Sequence, residues 1–286
     1  MRLDVPFDLD LSLCCGQVFR WKKEAGWWFG VVGEKVIKIR QLGNELEFEG
    51  ADEKFVRSYF GLDVDLAAIS RCIAKDTHIN AALKQFRGLR LIRQEPWTCL
   101  TGFICSIQKN IPAIEQMLQK MSEKFGEETD CDGRKFYLFP SVDRLASANT
   151  LGLRECGLGF RAKYVQETAR KILEKNINLN SLRNVPYFDA RKDLLEFQGV
   201  GLKVADCVLL FSLDKTEAFP IDIWVKRAII NHYADKLPIE LVKRLQISPT
   251  LTKSEYLRIG DWARSYFGVY AGYAQEYLYH YERTQR

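Results

Sequence analysis

No apolar run in the chain approaches the roughly 20 residues that a membrane-crossing helix requires; stretches such as Cys207-Val208-Leu209-Leu210-Phe211 fall far short. An export signal is missing too, because Met1-Arg2-Leu3-Asp4-Val5-Pro6 places Asp and Pro where the apolar core of such a signal would lie. The expectation is an intracellular protein without a membrane partner, in the cytoplasm of a prokaryote or the nucleus of a eukaryote. Histidine is scarce, with three residues, and none of the eight cysteines belongs to a Cys-x-x-Cys pair. That combination speaks against a structural zinc and favours reduced thiols over a disulfide framework. Repeats and low-complexity tracts are absent, which excludes a solenoid. Neither sign of charge dominates: 42 basic minus 37 acidic residues leaves +5. A nucleic acid or other anion is permitted as partner by that balance and not demanded by it.

What is present reads as a globular protein of 286 residues, 47% hydrophobic and 28% charged. At about 150 residues per domain, two domains are expected. Trp27-Trp28-Phe29-Gly30-Val31-Val32 reads as a strand and Gly33-Glu34 as a turn. Ile37-Lys38-Ile39-Arg40 and Glu45-Leu46-Glu47-Phe48-Glu49 then alternate on either side of Gly43-Asn44. Period-two alternation around glycine turns predicts a half-buried antiparallel sheet, with basic residues of one strand suited to pair with acidic ones of the next. Helices are expected over 51–60 and 64–87. Past Pro96, a good first helical residue, strand signals nearly vanish. Helices are predicted at 111–125, 141–148, 151–156, 161–175, 188–197, 202–213, 222–233 and 254–283. The fold class is α+β, with an N-terminal sheet domain (1–93) followed by a larger all-helical domain (94–286).

The informative stretch is Leu194-Leu195-Glu196-Phe197-Gln198-Gly199-Val200-Gly201-Leu202-Lys203-Val204-Ala205-Asp206-Cys207. One apolar helix ends at Gly-Val-Gly and a second begins at once. Glycines permit a tight turn and close approach of a partner, and the N–H groups beside the new helix form an anion site. The third glycine of a dinucleotide fingerprint is missing and no strand precedes, so a Rossmann site is disfavoured. Gly157-Leu158-Gly159 joins helices in the same way, and an ordinary helix C-cap also explains it. Lys203 falls in the first turn of the second hairpin helix. The positive end of the helix dipole and the apolar neighbours Leu202 and Val204 both favour a neutral amine, a Schiff-base nucleophile. A phosphate-contacting surface lysine is the alternative. Nineteen residues on, Asp222 precedes Ile223, Val225 and Ile229 as a helix N-cap would. Beside Lys203 the same carboxylate would stabilise positive charge or move protons.

Together with Phe219-Pro220-Ile221-Asp222, the hairpin resembles the helix-hairpin-helix and Gly/Pro-Asp signature of base-excision DNA glycosylases, and more narrowly the 8-oxoguanine DNA glycosylase/AP lyase family. The likeness runs along most of the chain. It takes in Gly16-Gln17-Val18-Phe19-Arg20-Trp21, Arg90-Leu91-Ile92-Arg93-Gln94-Glu95-Pro96, Phe103-Ile104-Cys105-Ser106, Gly157-Leu158-Gly159-Phe160-Arg161-Ala162-Lys163-Tyr164 and Tyr270-Ala271-Gly272-Tyr273-Ala274-Gln275. The resemblance implies a TBP-like N-terminal sheet domain and a monomer acting on double-stranded DNA containing 8-oxoguanine. It makes Lys203 the nucleophile at the sugar C1′, with Asp222 stabilising the oxocarbenium-like transition state and β-elimination cutting the strand. The Gly16 carbonyl would accept from N7–H of the flipped lesion. Ordinary guanine lacks that proton, a difference of about 1 to 3 kcal/mol, or one to two decades. Cys207 and Tyr279 would flank the base, Gln275 would read its edge and Pro220 would line the pocket. Gln108, Phe160, Arg161, Gly199, Gly201 and Trp224 would meet DNA, with Phe160 as a wedge and Arg161 on the orphaned cytosine. Carbonyls of Leu195, Phe197 and Val200 would hold Na+ or K+; no cofactor is otherwise required.

The chain also departs from the family. Gln108 stands where an asparagine would fill the gap left by the flipped base. Ala113 replaces an arginine that reads the opposite cytosine, so a relaxed opposite-base preference is expected. Trp224 replaces a histidine near the 5′ phosphate, and Gln198 replaces the hairpin proline. An endonuclease III-like enzyme for another oxidised base would often carry four cysteines near the C-terminus for an iron–sulfur cluster, whereas here the last cysteine is Cys207. A noncatalytic DNA-binding module would need neither Lys203 nor Asp222.

Overall fold

The computed structural model describes residues 1–285. Strands β1 (Trp21–Glu24), β2 (Trp27–Val32), β3 (Lys35–Leu42) and β4 (Glu45–Glu49) form an antiparallel meander in sequence order. The alternation of β3 and β4 sets the register: Lys38 lies opposite Glu49 and Arg40 opposite Glu47, with Arg40 Nε donating to Glu47 at 2.7 Å. Ile37, Ile39 and Leu46 are fully buried on the opposite face. Helices Glu53–Tyr59, Leu66–Ile73 and Thr77–Gln85 follow. The single stretch expected over 64–87 is thus broken, because the Asp76 carboxylate caps the N–H groups of His78 and Ile79 and starts a new helix.

The second half is helical as expected, beginning with Pro96–Cys105, whose Glu95 cap accepts from Trp97 and Thr98. It is not helical throughout. A two-stranded hairpin, β5 (Glu128–Cys131) and β6 (Arg134–Tyr137), turns at Asp132-Gly133, both with positive φ. This hairpin packs back on the N-terminal sheet: Phe136 stacks on Phe29 with ring centroids 5.9 Å apart, and Arg134 pairs with Glu24 at 2.8 Å. The long helix expected over 254–283 divides into Lys253–Phe267 and Ala271–Thr284 at Gly268, whose φ of 74° ends the first helix. A helix at Ile239–Ile247 carries little outward sign beyond Leu241, Val242 and Leu245 on its buried face.

Two hydrophobic cores hold the molecule together. The smaller, under the sheet, gathers Phe7, Trp21, Trp28, Ile37, Ile39, Phe60 and Ile92. The larger includes not only the helices after Pro96 but also Cys15, Phe19, Leu66, Ile69, Ile73 and Phe86. Three early segments therefore belong to the helical core, and they carry Gly16 to the site.

Candidate active site

The hairpin consists of helices Tyr187–Leu195 and Leu202–Ser212 joined by residues 196–201. Its two glycines differ in cause. Gly199 has φ +79°, and a Cβ there would lie 2.4 Å from the Tyr164 ring, so internal packing demands glycine. Gly201 is exposed and has an extended backbone, and a Cβ at that position would meet nothing within 4 Å. It caps the Leu202–Ser212 helix without any side-chain bond to the first-turn N–H groups. Those donors stand open toward an anion, as the sequence predicts.

Lys203, half-buried in that first turn, donates to Ser106 Oγ at 3.3 Å and lies 5.1 Å from the Phe103 ring centroid. Asp222 caps helix Ile223–His232, with Oδ1 accepting from Trp224 N and Val225 N at 2.9 Å each. Both cap bonds fall on one oxygen, which leaves Oδ2 for the cleft. Burial raises the Asp222 carboxyl above its ordinary value, opposed by the Val225 N–H, the Lys203 charge and the Trp224 N–H. A cleft of about 940 Å³ has both Lys203 and Asp222 in its wall, together with Gly16, Gln108, Gly199, Gly201, Trp224 and Tyr279.

A smaller recess opens beside it, lined by Gly16, Lys203, Cys207, Pro220, Asp222, Gln275, Glu276 and Tyr279. All five residues expected around a flipped base are brought together there. Its volume of about 50 Å³ suits a water and not a purine, so the recess must widen for a base to enter. Gly16 has φ +100°, and a Cβ would lie 3.0 Å from the Tyr279 hydroxyl. Cys207 is 3% exposed, and burial pushes its thiol up to about 12 against the opposing Lys203 charge. It stays a neutral, polarisable wall.

Gly16 is held by a residue to which the sequence assigns no role. The buried Gln17 amide donates to the Arg90 and Ser12 carbonyls at 2.8 and 2.9 Å and accepts from Ile92 N at 2.8 Å. Gln94 in turn donates to the Gln17 carbonyl at 2.7 Å. The presence of Gln17 and Arg90–Gln94 in the family motifs was the available signal; the pairing spans more than 70 residues.

The opposite-strand residues are arranged less simply. Phe160 is 49% exposed at the start of helix Arg161–Glu174, suited to a wedge. Gln108 is exposed on the 106–110 loop with φ +52°, a strained conformation for a non-glycine residue. Arg161 does not present a free guanidinium. It is 3% exposed, with Nε donating to the Ile107 carbonyl at 2.9 Å, Nη2 to the same oxygen and Nη1 to Leu158 at 3.1 Å. These bonds clamp the loop carrying Gln108, and the expected contact with an orphaned cytosine would require the guanidinium to leave them. Ala113 offers no side-chain donor. Trp224 lies under the Arg227 guanidinium, 5.0 Å from the ring centroid. In the hairpin turn, the Phe197 carbonyl accepts from Val200 N at 3.2 Å, and Lys171 donates to the Glu196 carbonyl at 2.6 Å. Among the described residues no cluster of three His, Cys, Asp or Glu could hold a metal, and no helix is long and apolar enough to cross a membrane.

Both halves of the chain match known families. Residues 2–100 match the family model for the N-terminal domain of 8-oxoguanine DNA glycosylase. Residues 101–247 match that of the HhH-GPD superfamily of base excision DNA repair proteins. The chain is 32% identical to the N-glycosylase/DNA lyase OGG1 of Arabidopsis thaliana, over 95% of this chain and 76% of that protein. With the N-glycosylase/DNA lyase of Saccharomyces cerevisiae it shares 36% identity over 85% and 69%. The structure superposes on the Clostridium acetobutylicum 8-oxoguanine glycosylase/lyase, in complex with duplex DNA bearing cytosine opposite 8-oxoguanine. The TM-score is 0.86 at 32% identity, covering 98% of this chain and 92% of that one. The family models, the sequence identities and the superposed fold agree, and the chain belongs to the 8-oxoguanine DNA glycosylase/lyase family of the HhH-GPD superfamily.

Proposed function

We propose that this protein rotates 8-oxoguanine out of duplex DNA, excises it through a lysine Schiff base and cuts the strand by β-elimination. The convergence of Lys203 and Asp222 on one cleft, beside the recess lined by Gly16, Cys207, Gln275 and Tyr279, carries the reading. Open N–H groups at Gly201 receive a backbone phosphate, and extrusion brings the nucleotide to the cleft. The Gly16 carbonyl accepts N7–H, Gln275 meets the Watson–Crick edge, and Cys207 and Tyr279 sandwich the ring.

Lys203 Nζ attacks C1′, and the bond to N9 breaks with its electron pair leaving on the base. The ionised Asp222 opposes the positive charge developing on the sugar. Opening of the sugar ring converts the new C–N bond to an imine. The iminium acidifies C2′–H, and the pair released there forms an enamine and then the C2′–C3′ double bond as the C3′–O bond breaks and the phosphate leaves with its own pair. This chemistry needs no organic cofactor, and one site serves one lesion, so a monomer suffices. The Leu195, Phe197 and Val200 carbonyls would seat Na+ or K+ as oxygen donors; the Phe197 oxygen keeps a second lone pair beyond its Val200 bond. Such an ion would supply charge beside a phosphate. The site of action is the compartment that holds the DNA.

Borohydride trapping on an 8-oxoguanine duplex tests the reading. A covalent protein–DNA adduct is expected from the wild type and none from Lys203→Gln. A wild type that releases base without a trappable adduct would overturn the Schiff-base mechanism.

A further inference from the structure

Glu276 takes no part in the chemistry above, yet it lines the same recess. It is 2% exposed, and its Oε1 meets no hydrogen-bond partner; the neighbouring Gln275 Oε1 is unpartnered as well. An unpaired polar atom at that depth is costly unless a ligand completes it. The carboxyl touches the Cys15 thiol, and Cys15 directly precedes Gly16. Glu276 therefore shares one recess with the two groups to which the excision reading gives neighbouring edges of the base: the Gly16 carbonyl at N7–H and Gln275 at the Watson–Crick edge. On a purine perimeter the position between N7 and N1 is C6, which bears oxygen in guanine-type bases and an amino group in adenine-type bases.

We propose that Glu276 is a specificity residue whose carboxyl donates its proton to the C6 oxygen of the flipped base. The inference rests on the excision reading and extends it to a substituent that neither Gly16 nor Gln275 covers. Donation requires the neutral acid, and the surroundings favour it. Burial raises the Glu276 carboxyl to about 7, against the Cys15 contact and the Arg283 charge, with the Asp222 carboxylate adding to the rise. Cys207 and Tyr279 also face it, and Lys203, absent from the protein used in the test below, lines the same recess. Asp222 and Arg283 are thus the charges whose own states bear on it. Above that range the ionised carboxylate would confront the C6 oxygen with like partial charge.

The test measures binding of the Lys203→Gln protein, which cannot turn over, to an 8-oxoguanine duplex and to the same duplex with a tetrahydrofuran abasic analogue. Their affinity ratio isolates base contacts from phosphate contacts. Preference for the lesion should fall about tenfold between pH 6 and pH 8.5 as the donor is lost. Adding Glu276→Gln, whose amide donates at every pH, should hold the ratio high and within twofold across the range. Adding Glu276→Leu should leave it low and flat. A flat ratio in the Lys203→Gln protein, or a pH dependence that survives Glu276→Gln, overturns the proposal. Equal binding of 8-oxoguanine and guanine duplexes at every pH would instead strike the excision reading beneath it.

Discussion

The lesion side and the opposite-strand side of this cleft are built to different standards. On the side proposed to hold the lesion, Gly16, Cys207, Gln275 and Glu276 sit on buried helices or on a loop pinned by Gln17, and the Gln275 and Glu276 Oε1 atoms are buried without a partner. The residues proposed to face the other strand are one exposed aromatic, Phe160, one strained glutamine, Gln108, and Arg161, whose guanidinium bonds the Ile107 carbonyl. Rigid, partially unsatisfied groups give discrimination because the wrong ligand leaves them unpaired. An exposed loop fills space without reading it. The molecule should be strict about the damaged base and lenient about the base across from it.

That contrast is best challenged first at its chemical end. Lys203→Gln should abolish trapping and lower excision by at least about a thousandfold, since Lys203 shares the recess with Asp222 whereas Lys109 lines only the outer cleft. Quantitative single-turnover kinetics would reveal a smaller loss and so a second nucleophile. The cost of the buried lesion wall should appear as pH-dependent stability. Glu276 is raised from 4.5 to about 7, so its stabilising effect is present below pH 4.5 and is lost as pH rises through 7. The loss amounts to about 3 kcal/mol at most. Glu276→Gln should therefore stabilise the protein at pH 8 relative to wild type, and much less at pH 5, in urea unfolding at both pH values.

The hairpin serves both strands and offers a finer probe. Gly199→Ala meets the Tyr164 ring and a positive φ, so it should cost about 2 kcal/mol or more of stability. Gly201→Ala should leave thermal stability within about 0.5 kcal/mol and weaken DNA binding instead. A melt and a binding titration on each variant separate the two. The smallest effect is expected across the duplex. Excision rates opposite C, T, G and A should lie within about tenfold of one another, about 1.4 kcal/mol. Arg161→Ala should lower all four together by loosening the Gln108 loop. A selective loss opposite cytosine would show that Arg161 leaves Ile107 to read that base.

Much of this was legible because the decisive signals are local. Gly-Val-Gly between apolar helices, Lys203 in the first helical turn and Asp222 before Ile223 each follow from a few adjacent residues, and the structure places them on one cleft. The β2–β4 meander was equally readable from its alternation. What escaped depends on distant partners. Nothing near Arg161 reveals that its guanidinium lies on a carbonyl 54 residues earlier, so its charge reads as available. The β5–β6 hairpin has strands of only four residues, too short and polar for periodicity, although Asp132-Gly133 is a fair turn signal. Glu276 looks like an ordinary helical glutamate until the burial of its helix, Ala271–Thr284, is known.

The distribution of the two cores bears on how the enzyme and DNA divide the work of deformation. Leu66, Ile69, Ile73 and Phe86 precede the domain junction yet pack in the helical core, while Phe136 and Arg134 reach back to the first sheet. The chain is laced across its own boundary in both directions, and parting the halves as a hinge would break these contacts. Local side-chain movement can still widen the recess, but the two halves act as one body. The bending and unstacking needed for entry must fall on the duplex, and sequences that kink readily around a lesion should be repaired faster than stiff ones.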